Sequence, residues 1–162
     1  MIGFKHTIEV LNKYGQLLVE EYKSRLDSEN ITASSKLKNS VKYILNVNDA
    51  DIELNLSLAH YWKYVDNGRK AGKWPPIDKI IEWIKVKPII PDNRFGRLPT
   101  EKQLAYLIGR KIYEKGIEPK HTLHNSINDI MDTIFMDELE GAITQDIDEM
   151  VEVEILFLIK DI

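Results

Sequence analysis

Two histidines, His121 and His124, stand three residues apart, a spacing that brings both imidazoles toward one face of a helix and suits metal ligation. A zinc site takes three or four ligands, and the only others are distant aspartates and glutamates, so the pair reads as surface or capping histidines near a helix start. Asp129, Asp132, Asp137, Glu138, Glu140, Asp146, Asp148 and Glu149 form an acidic run that a two-metal hydrolase would draw on. Their offsets match no calcium loop, and carboxylates along a helix normally form its solvated face. A nucleophile-and-base arrangement is equally poor. The chain has no cysteine and no Gly-x-Ser-x-Gly, and His6, His60, His121 and His124 have no evident serine partner. The stretch Gly68–Lys73 has glycine and lysine without Walker spacing. The expectation is no catalytic residue, no metal site, no cofactor and no enzyme.

Two features remain. Residues 59–70, Ala-His-Tyr-Trp-Lys-Tyr-Val-Asp-Asn-Gly-Arg-Lys, pack aromatic rings beside a basic loop. Tyr61, Tyr64 and Val65 fit one helical face, while Trp62 falls on another, and aromatic residues are enriched at protein interfaces. The candidate interaction residues are therefore Tyr61, Trp62, Tyr64, Asp66, Gly68, Arg69 and Lys70, with Lys73, Trp74, Arg94 and Arg97 from the loops that follow. The second feature is Pro76–Lys87 followed by Thr100–Lys115, which resembles a helix-turn-helix with 100–115 as recognition helix. That motif joins its helices by a turn of about 3–4 residues, and the connection here is several times longer. The same basic surface also suits an acidic protein partner, including another copy of this chain.

The elements that must hold these residues follow from periodicity. Ile8, Leu11, Gly15, Leu18 and Tyr22 share one face of a helix over 7–27. Val41–Val47 and Ile52–Leu58 alternate as strands around Asn48-Asp49-Ala50-Asp51, a hairpin signature. A short aromatic helix or turn closes at Gly68. Pro75-Pro76 opens a helix with Ile77, Ile80, Ile81 and Ile84 inward. Thr100-Glu101-Lys102-Gln103 is a capping box that starts another, with Leu104, Leu107, Ile108 and Ile112 inward and Gly116 as its stop. One long helix is expected after Pro119, carrying Ile127 to Leu139. Residues 151–159 alternate as a terminal strand, apolar on both faces at Ile155–Ile159 and suited to a buried or shared position. The fold class is α+β: an antiparallel sheet, hairpin plus C-terminal strand, covered by an N-terminal helix and several later helices. The whole reads as one domain, 1–162, with 136–162 as an acidic extension.

The 162 residues carry a net charge of −4, which argues against a dedicated duplex-DNA binder. The total hides a division. Residues 60–120 sum to +7, residues 129–162 to −10 and residues 1–59 to −1. The absence of cysteine fits a reducing compartment. No secretory signal is visible, and no run approaches the ~18–20 apolar residues that span a bilayer, so no membrane partner is expected.

In their order, these features resemble the head–tail joining, or tail-completion, family of neck proteins in tailed bacteriophages. The likeness runs from the N-terminal helix through Ser35-Lys36-Leu37-Lys38-Asn39-Ser40-Val41, where the family has small-x-Leu-x-x-Ser-hydrophobic before a strand. It continues through Ala59-His60-Tyr61 to Tyr64-Val65-Asp66-Asn67-Gly68-Arg69, similar to Ala-x-Tyr-x-x-x-hydrophobic-acid-x-Gly. The Pro-Pro-Ile-x-x-Ile-x-x-Trp-Ile helix at 75–84, Thr100–Gly116 and Pro119-Lys120-His121-Thr122-Leu123 complete it. About residues 5–135 take part, and the acidic tail lies beyond the pattern. The resemblance implies a virion structural protein at the neck or tail, present in the host cytoplasm during assembly. It would form a homo-oligomeric ring between a portal or adaptor and the tail, with non-specific contact to DNA in the channel. Opposite charges on two regions of one subunit suit a ring, because a ring joins two different faces of adjacent copies.

Overall fold

The computed structural model describes residues 4–31, 35–48, 51–86 and 98–160. Among these are seven helices and one two-stranded antiparallel sheet, in the order α1 Lys5–Ser28, α2 Lys36–Ser40, β1 Lys42–Val47, β2 Ile52–Ser57, α3 Trp62–Asp66, α4 Ile77–Val86, α5 Glu101–Lys115, α6 Thr122–Met131 and α7 Phe135–Lys160. The α+β class is as expected. The chain gathers into two compact units, one from Met1–Ser24, Val41–Ser57 and Leu123–Ile162, the other from Arg25–Ser40 and Leu58–Thr122.

In the first unit α1 is the organiser. Its buried residues Thr7, Tyr14, Leu18 and Tyr22 recur at helical spacing. The Tyr14 ring meets the Phe135 ring of α7 at 4.6 Å between centroids. The hairpin packs on the same helix at Gly15, where a Cβ would sit 2.8 Å from Tyr43 Cδ2 and 3.0 Å from Leu54 Cδ1. Only the missing side chain lets the strands approach so closely. The register pairs Tyr43 with Leu56, Leu45 with Leu54 and Val47 with Ile52. Tyr43, Leu45, Leu54 and Leu56 are half-buried, and Lys42, Asn46, Glu53 and Asn55 lie exposed on the other face.

The N-terminus of α1 has no acidic residue in its first turn. Its orphan donors are met instead by Asp146 of α7, a residue only 2% exposed. Asp146 Oδ1 accepts from His6 N at 2.9 Å, and Oδ2 accepts from Thr7 N at 2.8 Å and from Thr7 Oγ1 at 2.7 Å. A carboxylate there also faces the positive end of the helix dipole. Nearer solvent, His6 Nε2 lies 2.9 Å from Glu149 Oε1, and Lys13 Nζ donates to both Glu138 oxygens at 2.8 and 2.6 Å.

Two sequence expectations fail at the C-terminal end. The helix expected after Pro119 is two helices, α6 and α7, separated at Asp132-Thr133-Ile134. Thr133 causes the break: its Oγ1 donates to Ile130 O at 2.6 Å and accepts from Phe135 N at 3.3 Å, satisfying groups that a continuous helix would pair. The expected terminal strand at 151–159 is instead the end of α7. Nothing between Ala142 and Lys160 is a glycine or proline, and extending an existing helix costs far less than nucleating a new element. Val151 and Ile155, read as alternating, are also one helical turn apart.

In the second unit, Ile80 and Ile84 of α4 and Ala105 of α5 form a buried core, with Ile77, Ile81, Leu104, Ile108 and Ile112 packed around it. The capping box is present: Gln103 N donates to Thr100 Oγ1 at 3.3 Å and Thr100 N to Gln103 Oε1 at 2.9 Å. Leu107, expected inward, is exposed, because the buried stripe of α5 runs through Ala105 and Gly109.

The Asp146 cap yields a prediction. Burial raises the Asp146 pKa, but the Thr7 side chain, the Thr7 and His6 backbone N–H groups and the nearby His6 outweigh it and hold the carboxyl below its ordinary value. Its contribution to stability is therefore whole above the usual aspartate range and is lost as pH falls through the lower folded value. Asp146→Ala is expected to cost about 1–3 kcal/mol at neutral pH, the penalty for unsatisfied buried donors. Urea melts at pH 7 and pH 3 check this: the gap between wild type and variant should shrink in acid.

Candidate interaction surfaces

Residues of two motifs in the sequence resemblance, Leu37 and Ser40 of one and Ala59, Asp66 and Gly68 of the next, lie in the second unit. Leu37 is buried in α2, and Ser40 Oγ donates to Leu37 O at 2.7 Å while accepting from Ala59 N at 2.9 Å. The serine of one motif thus holds the alanine of the next, tying the end of α2 to the residues after β2. Further along, Asp66 is buried and its carbonyl accepts from His121 N at 2.9 Å. Gly68 has φ +68°, and a Cβ there would stand 2.3 Å from Ile117 O. Arg69 and Ile117 form a bridge, with Arg69 N donating to Ile117 O at 2.9 Å and Ile117 N to Arg69 O at 2.8 Å. On its other side Gly116, φ +76°, leaves only 2.3 Å between a would-be Cβ and Arg69 O. Two glycines flank one bridge at this backbone corner because the two backbones touch there.

This corner aims the basic loop. The Arg69 guanidinium donates to the carbonyls of Lys73 and Trp74, each at 3.2 Å, and Gly72 N donates to Tyr113 O at 2.8 Å. The loop is thereby strapped along α5. Trp74 lands beside two tyrosines of that helix, its ring 5.3 Å from Tyr106 and 5.6 Å from Tyr113, tilted by 42° and 41°. All three rings stay substantially exposed, Trp74 at 41%, Tyr106 at 55% and Tyr113 at 43%. Lys73 and Lys102 are exposed on this surface. Beside it lies an open hollow of about 470 Å³ lined by Pro99, Lys102, Gln103, Tyr106 and Leu107. On the same face of α5, one turn beyond Tyr106, Arg110 pairs with Glu114 at 2.8 Å, which raises the guanidinium pKa further.

The candidate residues from sequence thus have different placements. Tyr64, Lys70, Lys73 and Trp74 are exposed; Tyr61, Trp62 and Arg69 are half-buried; Asp66 and Gly68 are buried in the corner. Arg94 and Arg97 lie outside the described residues. Trp74 and Lys73 are brought together with residues that sequence reading missed, Tyr106 and Tyr113. Their spacing of seven places them on one helix face, but the inward leucines and isoleucines of the same helix drew the assignment.

A second surface belongs to the first unit. With Phe135, Ala142 and Asp146 buried, α7 turns Met136, Ile143, Ile147 and Val151 outward. Along one edge of this apolar stripe run Asp137, Asp148 and Glu152, all exposed. The helix therefore has a buried face and an outer apolar stripe that contains the exposed Glu140 and is edged by further acids. An open hollow of about 510 Å³ beside α1 and α7, lined by His6, Glu9, Lys13, Glu138, Gly141 and Gln145, holds acids and bases already engaged with one another at Lys13–Glu138. That pairing raises the Lys13 pKa and lowers that of Glu138, each chiefly through their shared hydrogen bond.

His121 and His124 are both exposed, and His121 adopts φ +52°. Among the described residues no group of three or more His, Asp or Glu side chains is placed to hold a metal ion, and no helix is long and apolar enough to cross a membrane. The chain matches no protein-family model, no curated protein and no solved structure.

If the corner at Gly68 sets the loop, its substitution has a defined cost. Gly68→Ala is expected to destabilise by at least about 1–2 kcal/mol from the left-handed backbone alone, with the clash against Ile117 O added. Gly72→Ala, at φ +92° with no atom within 4 Å of the new Cβ, should lose only the backbone contribution. Thermal melts of both variants check the order; equal losses would contradict the close approach.

Proposed function

We propose that this chain is a non-enzymatic virion structural protein of a tailed bacteriophage, forming a homo-oligomeric ring at the neck that joins the portal or adaptor of the DNA-filled head to the tail. One observation carries the reading: exposed apolar residues gather on two surfaces of opposite charge, the Trp74–Tyr106–Tyr113 surface in the basic region and the outer face of α7 in the acidic one. Contiguous exposed apolar surface marks interaction sites. Two unlike, complementary surfaces on one subunit are what a heterologous, ring-closing contact needs. The resemblance of residues 5–135 to the neck family supports the same reading, and its motif residues Ser40, Ala59, Asp66 and Gly68 have fold-building roles here. In this reading the partners are further copies of the chain, the portal or adaptor and tail proteins, and the DNA that passes through the channel.

A DNA-binding regulator with residues 100–115 as recognition helix has in its favour the exposed Lys102, Arg110 and Lys111. The outer face of that helix also carries Tyr106, Leu107 and Tyr113, which are not readers of base edges, and Arg110 is already paired with Glu114.

A stop codon introduced into this gene within its phage tests the proposal. Lysates viewed by negative-stain electron microscopy are expected to contain DNA-filled heads and free tails in place of joined virions. Normal yields of joined virions would contradict it.

A further inference from the structure

We infer that the outer face of α7 in one copy docks on the Trp74–Tyr106–Tyr113 surface of the next copy, so that the acidic-rimmed helix of each subunit is seated on the basic, aromatic surface of its neighbour. Both surfaces are exposed in the single chain: Ile147 by 47% and Val151 by 51% on α7, Tyr106 by 55% on α5. Between copies three pairings of these surfaces exist. An α7–α7 contact sets Asp137, Asp148 and Glu152 against their own equivalents, and a contact between two aromatic surfaces does the same with Lys73 and Lys102. Like charges brought together cost several kcal/mol and disfavour both. Only the crosswise pairing opposes unlike signs.

Size and chemistry agree with it. The stripe from Met136 to Val151 is about 22 Å long at about 1.5 Å per residue, and α5, with 15 residues, is about the same length. Aromatic side chains supply large anchoring area at little entropic cost, and the open hollow lined by Pro99, Lys102, Gln103, Tyr106 and Leu107 offers a shallow seat for a branched side chain such as Ile147. A crosswise contact leaves one α7 and one aromatic surface unused at the ends of any open chain of subunits, so it satisfies every copy only by closing. The inference rests on the reading of the chain as a self-assembling ring protein and names the two faces that would form its repeated contact.

The protein contains no cysteine, so paired single-cysteine variants report proximity without background. Full-length Ile143→Cys, Ile147→Cys and Val151→Cys, each carrying a mass-shifting tag, are mixed with untagged Lys102→Cys or Tyr106→Cys and treated with a short bismaleimide. Tagged–untagged conjugates are expected in the mixtures, at least fivefold above those that each variant forms with itself, and should fall when Asp148→Lys and Glu152→Lys are added to the α7 partner. Circular dichroism and melting temperature confirm that each variant is folded. Conjugates with particles that fail to close under electron microscopy would uphold the contact and overturn the ring. Closed particles without conjugates would uphold the ring and overturn the contact. A monomer at all concentrations would overturn both. Retention of a single-stranded oligonucleotide on the Tyr106 surface, with no conjugate formed, would overturn the contact in favour of a nucleic-acid platform.

Discussion

The carboxylate of Asp146, buried and holding three donors at the start of α1, fixes the rotation of the longest helix about its own axis. A helix is free to turn different faces inward until something specific pins it, and here hydrophobicity alone would not decide. Ile143 and Ile147 are as apolar as the residues that are buried. A carboxylate in a dry site is costly unless its oxygens are satisfied, so it must face the N–H groups of His6 and Thr7. Once it does, Phe135 and Ala142 turn inward with it. The isoleucines are left outside with the acids beside them. The outward character of α7 is thus a consequence of one polar contact on its inner side.

The second unit has an analogous constraint in backbone form. Arg69 and Ile117 approach so closely that only glycine is accommodated at 68 and 116. That approach sets the course of the loop through Lys73 and brings Trp74 against Tyr106 and Tyr113. Meanwhile α5 spends its inner stripe on Ala105 and Gly109, against Ile77 and Ile80 of α4. The small residues allow the two helices to pack closely, and the large ones that a core would use, Tyr106, Leu107 and Tyr113, remain on the outer side. Each unit therefore exposes apolar surface for a reason rooted in its own packing.

Much of the fold was legible because local signals and tertiary contacts agreed. The 3.6-residue period of α1, the alternation of the hairpin and the Thr100 capping box each needed only neighbours in sequence to be read. The errors came where a short pattern was ambiguous or its decisive partner was far away. Alternation at Val151–Ile159 is equally a helical repeat, and only continuity with α7 resolves it. The break at Thr133 depends on a side-chain hydroxyl choosing backbone partners. The aromatic surface was half visible: Trp74 and Lys73 stood out beside the basic loop, but Tyr106 and Tyr113 join them only because Gly68 and Gly116 let distant backbones touch. Asp146, one acid in a long acidic run, carried no mark that it would be buried.

The central claim is that the two oppositely charged apolar faces are the two halves of one repeated contact. Two variants, each broken on one face only, isolate that claim: Ile143→Asp with Ile147→Asp on α7, and Trp74→Glu with Tyr106→Glu on the aromatic surface. Native mass spectrometry of each variant alone and of their equimolar mixture is the direct measurement. The account predicts a monomer for each alone and a one-to-one heterodimer in the mixture, since each retains the face that the other lacks. Assembly of either variant by itself, or two monomers that ignore each other when mixed while the unmodified chain assembles, would contradict it.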